Sequence, residues 1–122
     1  ISPEDIGYVN AHGTSTPLGD VVEIKALRKL FGSSISKTSI SSTKSSTGHL
    51  LGAAGGIEAI FALLAMKHGV LPPTLNLENP SESVVGMDLV PLKAKEKKFT
   101  AALSNSFGFG GHNASLVLRR VG

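Results

Sequence analysis

The chain has 122 residues, a formal net charge of +3, 17% charged and 41% hydrophobic residues, and no cysteine. That length and balance suit one domain over 1–122 with a real core, and they exclude a disordered or fibrous chain. Without cysteine there is no disulfide and no thiolate metal site. Lys93, Lys95, Lys97 and Lys98, with Arg119 and Arg120, lack interleaved aromatics, so they read as a solvated face or a surface for an acidic partner rather than for nucleic acid.

Residues 6–10, with Tyr8 and Val9, alternate as a short strand. Thr16-Pro17 offers an N-cap and a first-turn proline, and Asp20-x-x-Glu23 resembles a capping box. Val21, Ile24, Leu27, Leu30 and Phe31 recur at three- and four-residue spacing, which predicts a helix with one buried face that Gly32 ends. Residues 33–47 contain eleven Ser or Thr out of fifteen. Such a stretch suits a flexible linker, but Ile35, Ile40, Thr38 and Thr43 favour a strand over 38–42 followed by an ordered loop.

A second helix over 52–68 is apolar all round, with Ile57, Ile60, Phe61, Leu63, Leu64 and Met66, and predicts a central element covered on every side. The glycines and alanines of 52–56 suit close approach of another backbone. Glycines and Glu58 interrupt the run, so it reads as a buried helix and not a membrane span. A short strand near 87–90, a lysine-rich turn, and two strands over 100–106 and 113–119 joined by a glycine-rich loop complete the order β-α-β-α-β-β, an α/β fold. No signal or transit segment is visible. The opening Ile-Ser-Pro-Glu-Asp reads as the middle of a longer protein, and the low charge with 14 glycines suggests surfaces that another segment covers.

Two histidines stand out. His12 and His49 each follow a strand-like run and precede a helix-like one, where folds display functional groups. A position near the start of a buried helix disfavours a charged imidazole through the dipole and desolvation, so His49 is expected to work as a neutral donor. Glu58 is the only charge between His49 and Lys67. A carboxylate on so apolar a helix needs solvent or a buried partner, and Lys44, the only lysine of the preceding loop, is the expected one. Ser41-x-x-Lys44 has the spacing of serine acyl-enzymes but lacks their companion motifs. His12, His49, His68 and His112 lack metal-ligand spacing. His68 suits a helix C-terminus, and His112 a loop.

Asn-Ala-His-Gly-Thr-Ser-Thr-Pro-Leu-Gly-Asp at 10–20, Thr-Lys-Ser-Ser-Thr-Gly-His-Leu-Leu-Gly-Ala-Ala-Gly at 43–55, Pro-Pro-Thr-Leu-Asn at 72–76 and Asn-Ser-Phe-Gly-Phe-Gly-Gly at 105–111 follow in order. With these motifs the chain resembles the C-terminal half of a β-ketoacyl-acyl-carrier-protein synthase of the elongating, KAS I/II type. The resemblance implies a thiolase-like fold, in which this β-α-β-α-β-β half joins a second half in a five-layered α-β-α-β-α sandwich and works as a homodimer. It implies an acyltransferase that performs a decarboxylating Claisen condensation in fatty acid biosynthesis, with no cofactor, and with acyl carrier protein bearing phosphopantetheine-linked acyl and malonyl groups as partner. A polyketide ketosynthase and a non-catalytic chain-length-factor-like subunit are the alternatives.

By the same resemblance His12 and His49 face the malonyl thioester carbonyl, Lys44 orients the site and Glu58 supports it. Thr14 and Thr16 hydrogen-bond the phosphopantetheine arm, though Thr16 also suits a helix cap. Phe109 is the gating phenylalanine, in a loop formed by Phe107, Gly108, Gly110 and Gly111, and its backbone N–H helps hold the acyl oxygen. His112 departs from the small hydroxyl residue usual there. The nucleophilic cysteine belongs to the other half, so this chain alone is expected to be inactive. Bacterial cytoplasm, plastid and mitochondrion all fit, and the partners include neither nucleic acid nor membrane.

Overall fold

The computed structural model describes residues 1–122. The chain runs β1 (Tyr8–Asn10), α1 (Gly19–Phe31), β2 (Ser39–Ser41), α2 (Lys44–Thr47), α3 (Ala54–His68), β3 (Val70–Leu71), β4 (Lys95–Glu96), β5 (Ala101–Phe107) and β6 (Asn113–Arg119). Strands β2, β1 and β5 lie parallel and β6 pairs antiparallel with β5, in the order β2-β1-β5-β6. β3 and β4 form a separate antiparallel pair.

Side chains alternate between the two faces of the sheet. On one face Val9, Ala11, Ile40, Ala101 and Leu103 pack with Leu27 and Phe31 of α1. On the other, Tyr8 and Ala102 pack with Ala62, Ala65 and Met66 of α3 and with Leu71 and Val90. The β2-β1-β5 part of the sheet is therefore covered by one helix on each side, and β6 is left exposed. Because β1, β2 and β5 are parallel, their C-terminal ends meet at one edge, where α/β folds place ligands.

Several expectations are corrected. Helix α1 starts at Gly19 with Leu18 as N-cap, and Asp20 and Glu23 form no capping box. Asp20 instead accepts from the Ser15 N–H, and Thr16 Oγ1 accepts from the Gly19 N–H at 3.1 Å. Leu30 is exposed, and the buried stripe of α1 is Glu23, Leu27 and Phe31. The strand expected over 38–42 is present as β2, and residues 33–47 are ordered around it, with Thr38 donating to the Ile6 carbonyl. The segment 87–90 joins β2 only through an isolated bridge at Asp88. Two of the surface lysines serve the fold: Lys95 pairs with Asp88 at 2.6 Å, and Lys97 donates to the Lys37 carbonyl and the Ser39 hydroxyl.

Helix α3 is covered on one face only. Ala54, Glu58, Ala62, Ala65 and Met66 are buried, whereas Ile60, Leu63 and Leu64 are 54, 49 and 44% exposed. A helix that is apolar all round needs cover on both sides, and this chain supplies one sheet. The segment Leu51–His68 is long and apolar enough by composition to cross a bilayer, yet here it lies along β1 and β5. Of its glycines, only Gly55 sits against a neighbour: a Cβ there would come 3.2 Å from Ser106 Oγ, while Gly52 and Gly56 face open space.

Candidate active site

The parallel strands deliver the site to the sheet edge. His12 follows β1 by two residues, Lys44 follows β2 by three, and Phe107 ends β5. The two imidazoles meet edge-to-face with ring centroids 5.4 Å apart. Phe107 stands against the His12 ring, also at 5.4 Å between centroids. Residues 37 positions apart in the chain thus share one small volume.

His12 is buried, and its Nδ1 has no protein partner. Burial, then the nearby Lys44 ammonium, then His49 push its pKa down to about 4. The ring is therefore neutral at physiological pH, with one N–H to donate. Its main chain is fixed by Glu23: one carboxylate oxygen accepts the His12 N–H at 3.0 Å and the other the Gly13 N–H at 2.9 Å.

His49 is exposed, contrary to the desolvated position expected from the sequence. It lies in the turn between α2 and a 3₁₀ segment, Leu51–Ala53, that precedes α3, so it stands outside the buried helix rather than at its first turn. Its Nδ1 accepts the Leu51 N–H at 3.1 Å. That bond leaves the ring proton on Nε2, so the donor nitrogen is Nε2.

Behind the histidines Lys44 Nζ is ion-paired with Glu58 Oε1, both side chains almost fully buried. The predicted pair is present. Its second oxygen, Oε2, is buried without a protein partner. Asn10, fully buried, exchanges hydrogen bonds with Thr43 beside it. Ser41 does not approach Lys44; its hydroxyl is bonded to that of Tyr8 at 2.8 Å, which leaves the serine acyl-enzyme reading without its dyad.

Thr14 is half-buried and Thr16 exposed, both near Gly19. The hairpin joining β5 and β6 carries Gly108, Phe109, Gly110 and Gly111. It closes with a Gly108 N–H bond to the His112 carbonyl at 2.7 Å. Phe109 is 90% exposed, and His112 is a loop residue there, as expected. His68 ends α3, away from the other histidines. A cavity of about 290 Å³, lined by Ala11, Gly13, Glu23 and Ser42 among others, lies beneath the His12 loop, and neither histidine lines it.

Glu23, whose carboxylate holds the His12 loop, is absent from the site residues expected from the sequence. It sits four residues before Leu27 and eight before Phe31, on the buried stripe of α1. Glu58 stands out as the only charge between His49 and Lys67, whereas Glu23 shares α1 with Asp20, Lys25, Arg28 and Lys29, and only its alignment with Leu27 and Phe31 marks it.

The family model for the β-ketoacyl synthase C-terminal domain matches residues 1–78. A 3-oxoacyl-[acyl-carrier-protein] synthase 2 from Rhizobium meliloti is 57% identical over 98% of this chain and 28% of its own length. One from Coxiella burnetii is 53% identical over 99% of this chain and 29% of its own length. Among solved structures, a β-ketoacyl synthase from Burkholderia phymatum superposes with a TM-score of 0.91 at 42% identity, over 99% of this chain and 29% of that one. A type II PKS acyl-carrier protein in complex with its ketosynthase superposes with a TM-score of 0.93 at 35% identity, over 99% and 29%. The fold is thiolase-like, and the chain spans under a third of the length of the curated relatives it matches.

Proposed function

We propose that this chain, which belongs to the β-ketoacyl synthase C-terminal domain family, supplies the malonyl-binding and decarboxylating half of a 3-oxoacyl-acyl-carrier-protein synthase. The observation that carries the reading is the meeting of His12 and His49 at the sheet edge, two imidazoles with one free donor each, backed by the Lys44–Glu58 pair.

In the proposed reaction the bond between the malonyl α-carbon and its carboxylate breaks and carbon dioxide leaves. The electron pair moves into the thioester, placing negative charge on its carbonyl oxygen. N–H donors from His12 and from Nε2 of His49 meet that charge, and one such donor is typically worth about 3–4 kcal/mol. The enolate carbon then attacks the acyl thioester on a cysteine that the rest of the protein provides, and the cysteine thiolate is the leaving group. A neutral His12 still carries one N–H to donate to the developing oxyanion, and burial first, with the Lys44 ammonium second, keeps it neutral.

Thr14 and Thr16 are proposed to hold the phosphopantetheine arm, with Thr16 dividing its hydroxyl between that role and the Gly19 N–H. Phe109, exposed on a glycine hairpin, is proposed as the gate. Acyl carrier protein is the proposed partner, a homodimer the proposed assembly and fatty acid elongation the proposed pathway. The 51–57% identity to synthases of that name, against 33–35% to polyketide ketosynthases, supports that choice. The decisive experiment uses the full-length protein and malonyl-acyl-carrier protein. Wild type should release carbon dioxide, and His49→Ala should lose at least about a hundredfold of that rate while its unfolding free energy moves by no more than about 0.5 kcal/mol. Undiminished decarboxylation in His49→Ala would overturn the donor role.

A further inference from the structure

Asn105 and Ser115 face each other directly across the β5–β6 pair. The Ser115 hydroxyl donates to Asn105 Oδ1 at 2.8 Å, which turns the amide so that its NH₂ group donates to Glu23 Oε1 at 3.0 Å. The same carboxylate receives the His12 and Gly13 N–H groups. We propose that Asn105 and Ser115 are positioning residues for His12, acting through Glu23; their effect on rate rests on the decarboxylation proposed above.

The physical case starts from Glu23, which is 4% exposed and has no lysine or arginine within ion-pair distance. A buried carboxylate without a cation depends on its hydrogen-bond donors. Glu23 has three: the main-chain N–H groups of His12 and Gly13, and the Asn105 amide. Removing the amide leaves a lone pair of Oε1 unmet, and the carboxylate then shifts with the two N–H groups it holds. Ser115 acts one step further out. Its hydroxyl occupies Oδ1 and so leaves only the NH₂ end of Asn105 for Glu23. The chain of bonds joins the stem of the hairpin that carries Phe109 to the loop that carries His12. Phe107, two residues beyond Asn105 on β5, adds a wall against the His12 ring. A displacement of His12 of about 1 Å is enough to cost on the order of a hundredfold in rate.

The test uses the full-length protein with Asn105→Ala, Ser115→Ala and Ser115→Thr. Two readouts are taken: hydrogen exchange of the amides in residues 10–14, and the separate rates of malonyl decarboxylation and of acyl transfer onto the enzyme. Exchange at His12 and Gly13 should quicken about tenfold in Asn105→Ala. Decarboxylation should fall about 10- to 100-fold there and by less in Ser115→Ala, with recovery in Ser115→Thr and acyl transfer within about twofold of wild type. Unchanged exchange, faster exchange with unchanged decarboxylation, or equal loss of both rates would overturn the proposal. If Asn105→Ala does not fold, the two Ser115 variants decide. A wild type that does not decarboxylate malonyl thioester counts against the proposed function, and the exchange measurement still tests the positioning.

Discussion

His12 and His49 share one proposed task but are held by different physics. His12 sits buried at the end of β1, its main chain clamped by a carboxylate from α1 and its ring walled by Phe107 from β5. His49 is exposed and held by its own neighbourhood, through the Leu51 N–H; its turn is anchored to the core five residues upstream, where Lys44 meets Glu58. One histidine is positioned by tertiary contacts, the other by a local turn on a tertiary anchor. Each is flanked by a glycine for a different reason. Gly13 has φ +42°, and a Cβ there would come 2.6 Å from the Ser42 Cβ; Gly48 has φ +72° and ψ −179°, with nothing within 4 Å. Crowding as well as dihedral angle demands the first glycine, and dihedral angle alone the second.

Breaking the anchor should have the largest effect. Lys44→Met in the full-length protein leaves Glu58 buried and unpaired, and chemical denaturation should report a loss of about 3–5 kcal/mol. The double variant Lys44→Met/Glu58→Leu should recover most of it, because no charge is then left stranded. A single-variant loss below about 1 kcal/mol would mean that the pair anchors nothing.

The glycines sharpen the contrast at the next level. Gly48→Ala should cost about 1–3 kcal/mol from backbone strain alone. Gly13→Ala should cost more, and Ser42→Gly should relieve part of it, whereas no neighbour can relieve Gly48→Ala. Equal costs for the two, measured by denaturation, would remove the distinction.

The smallest effect is in pH. The His12 pKa falls from 6.5 to about 4 on folding, so between those values the unfolded chain binds more protons than the folded one. Stability therefore rises with pH across this window and is lost as pH falls from about 6.5 toward 4. His12→Gln should flatten that part of the dependence in denaturation curves taken at pH 7 and pH 5. An unchanged slope would show that His12 is not held neutral by its surroundings.

Much of this was legible in the chain itself. Strand-like runs and three-to-four spacing placed β1, α1, β5 and β6 near their observed bounds; only α1 buries a single face, while β1 and β5 are buried on both faces and β6 is exposed along most of its length. The Lys44–Glu58 pair was legible because a single charge stands in an apolar helix and a single lysine precedes it. The capping box at Asp20 and Glu23 misled: local spacing offered a cap, but the buried stripe took Glu23 for the His12 loop. The two-residue strands β3 and β4 left no pattern, since pairs so short are set by what surrounds them. His49 was expected to be desolvated because it stands near the start of α3, but the 3₁₀ segment Leu51–Ala53 intervenes and leaves it exposed.

By itself the sequence determined the kinds of chemistry present and where along the chain they fall: two histidines in loops that precede helices, a lone lysine–glutamate pair, a glycine hairpin and an α/β order. Residue identity and spacing carry these, since hydrophobic period and local turn chemistry act over a few residues. Only the tertiary structure decided that His12 is neutral and clamped through Glu23, that His49 donates from Nε2, and that Asn105 and Ser115 reach the His12 loop. Those facts depend on burial and on hydrogen bonds between residues up to 82 positions apart, and no local pattern records which distant partner a buried polar group finds.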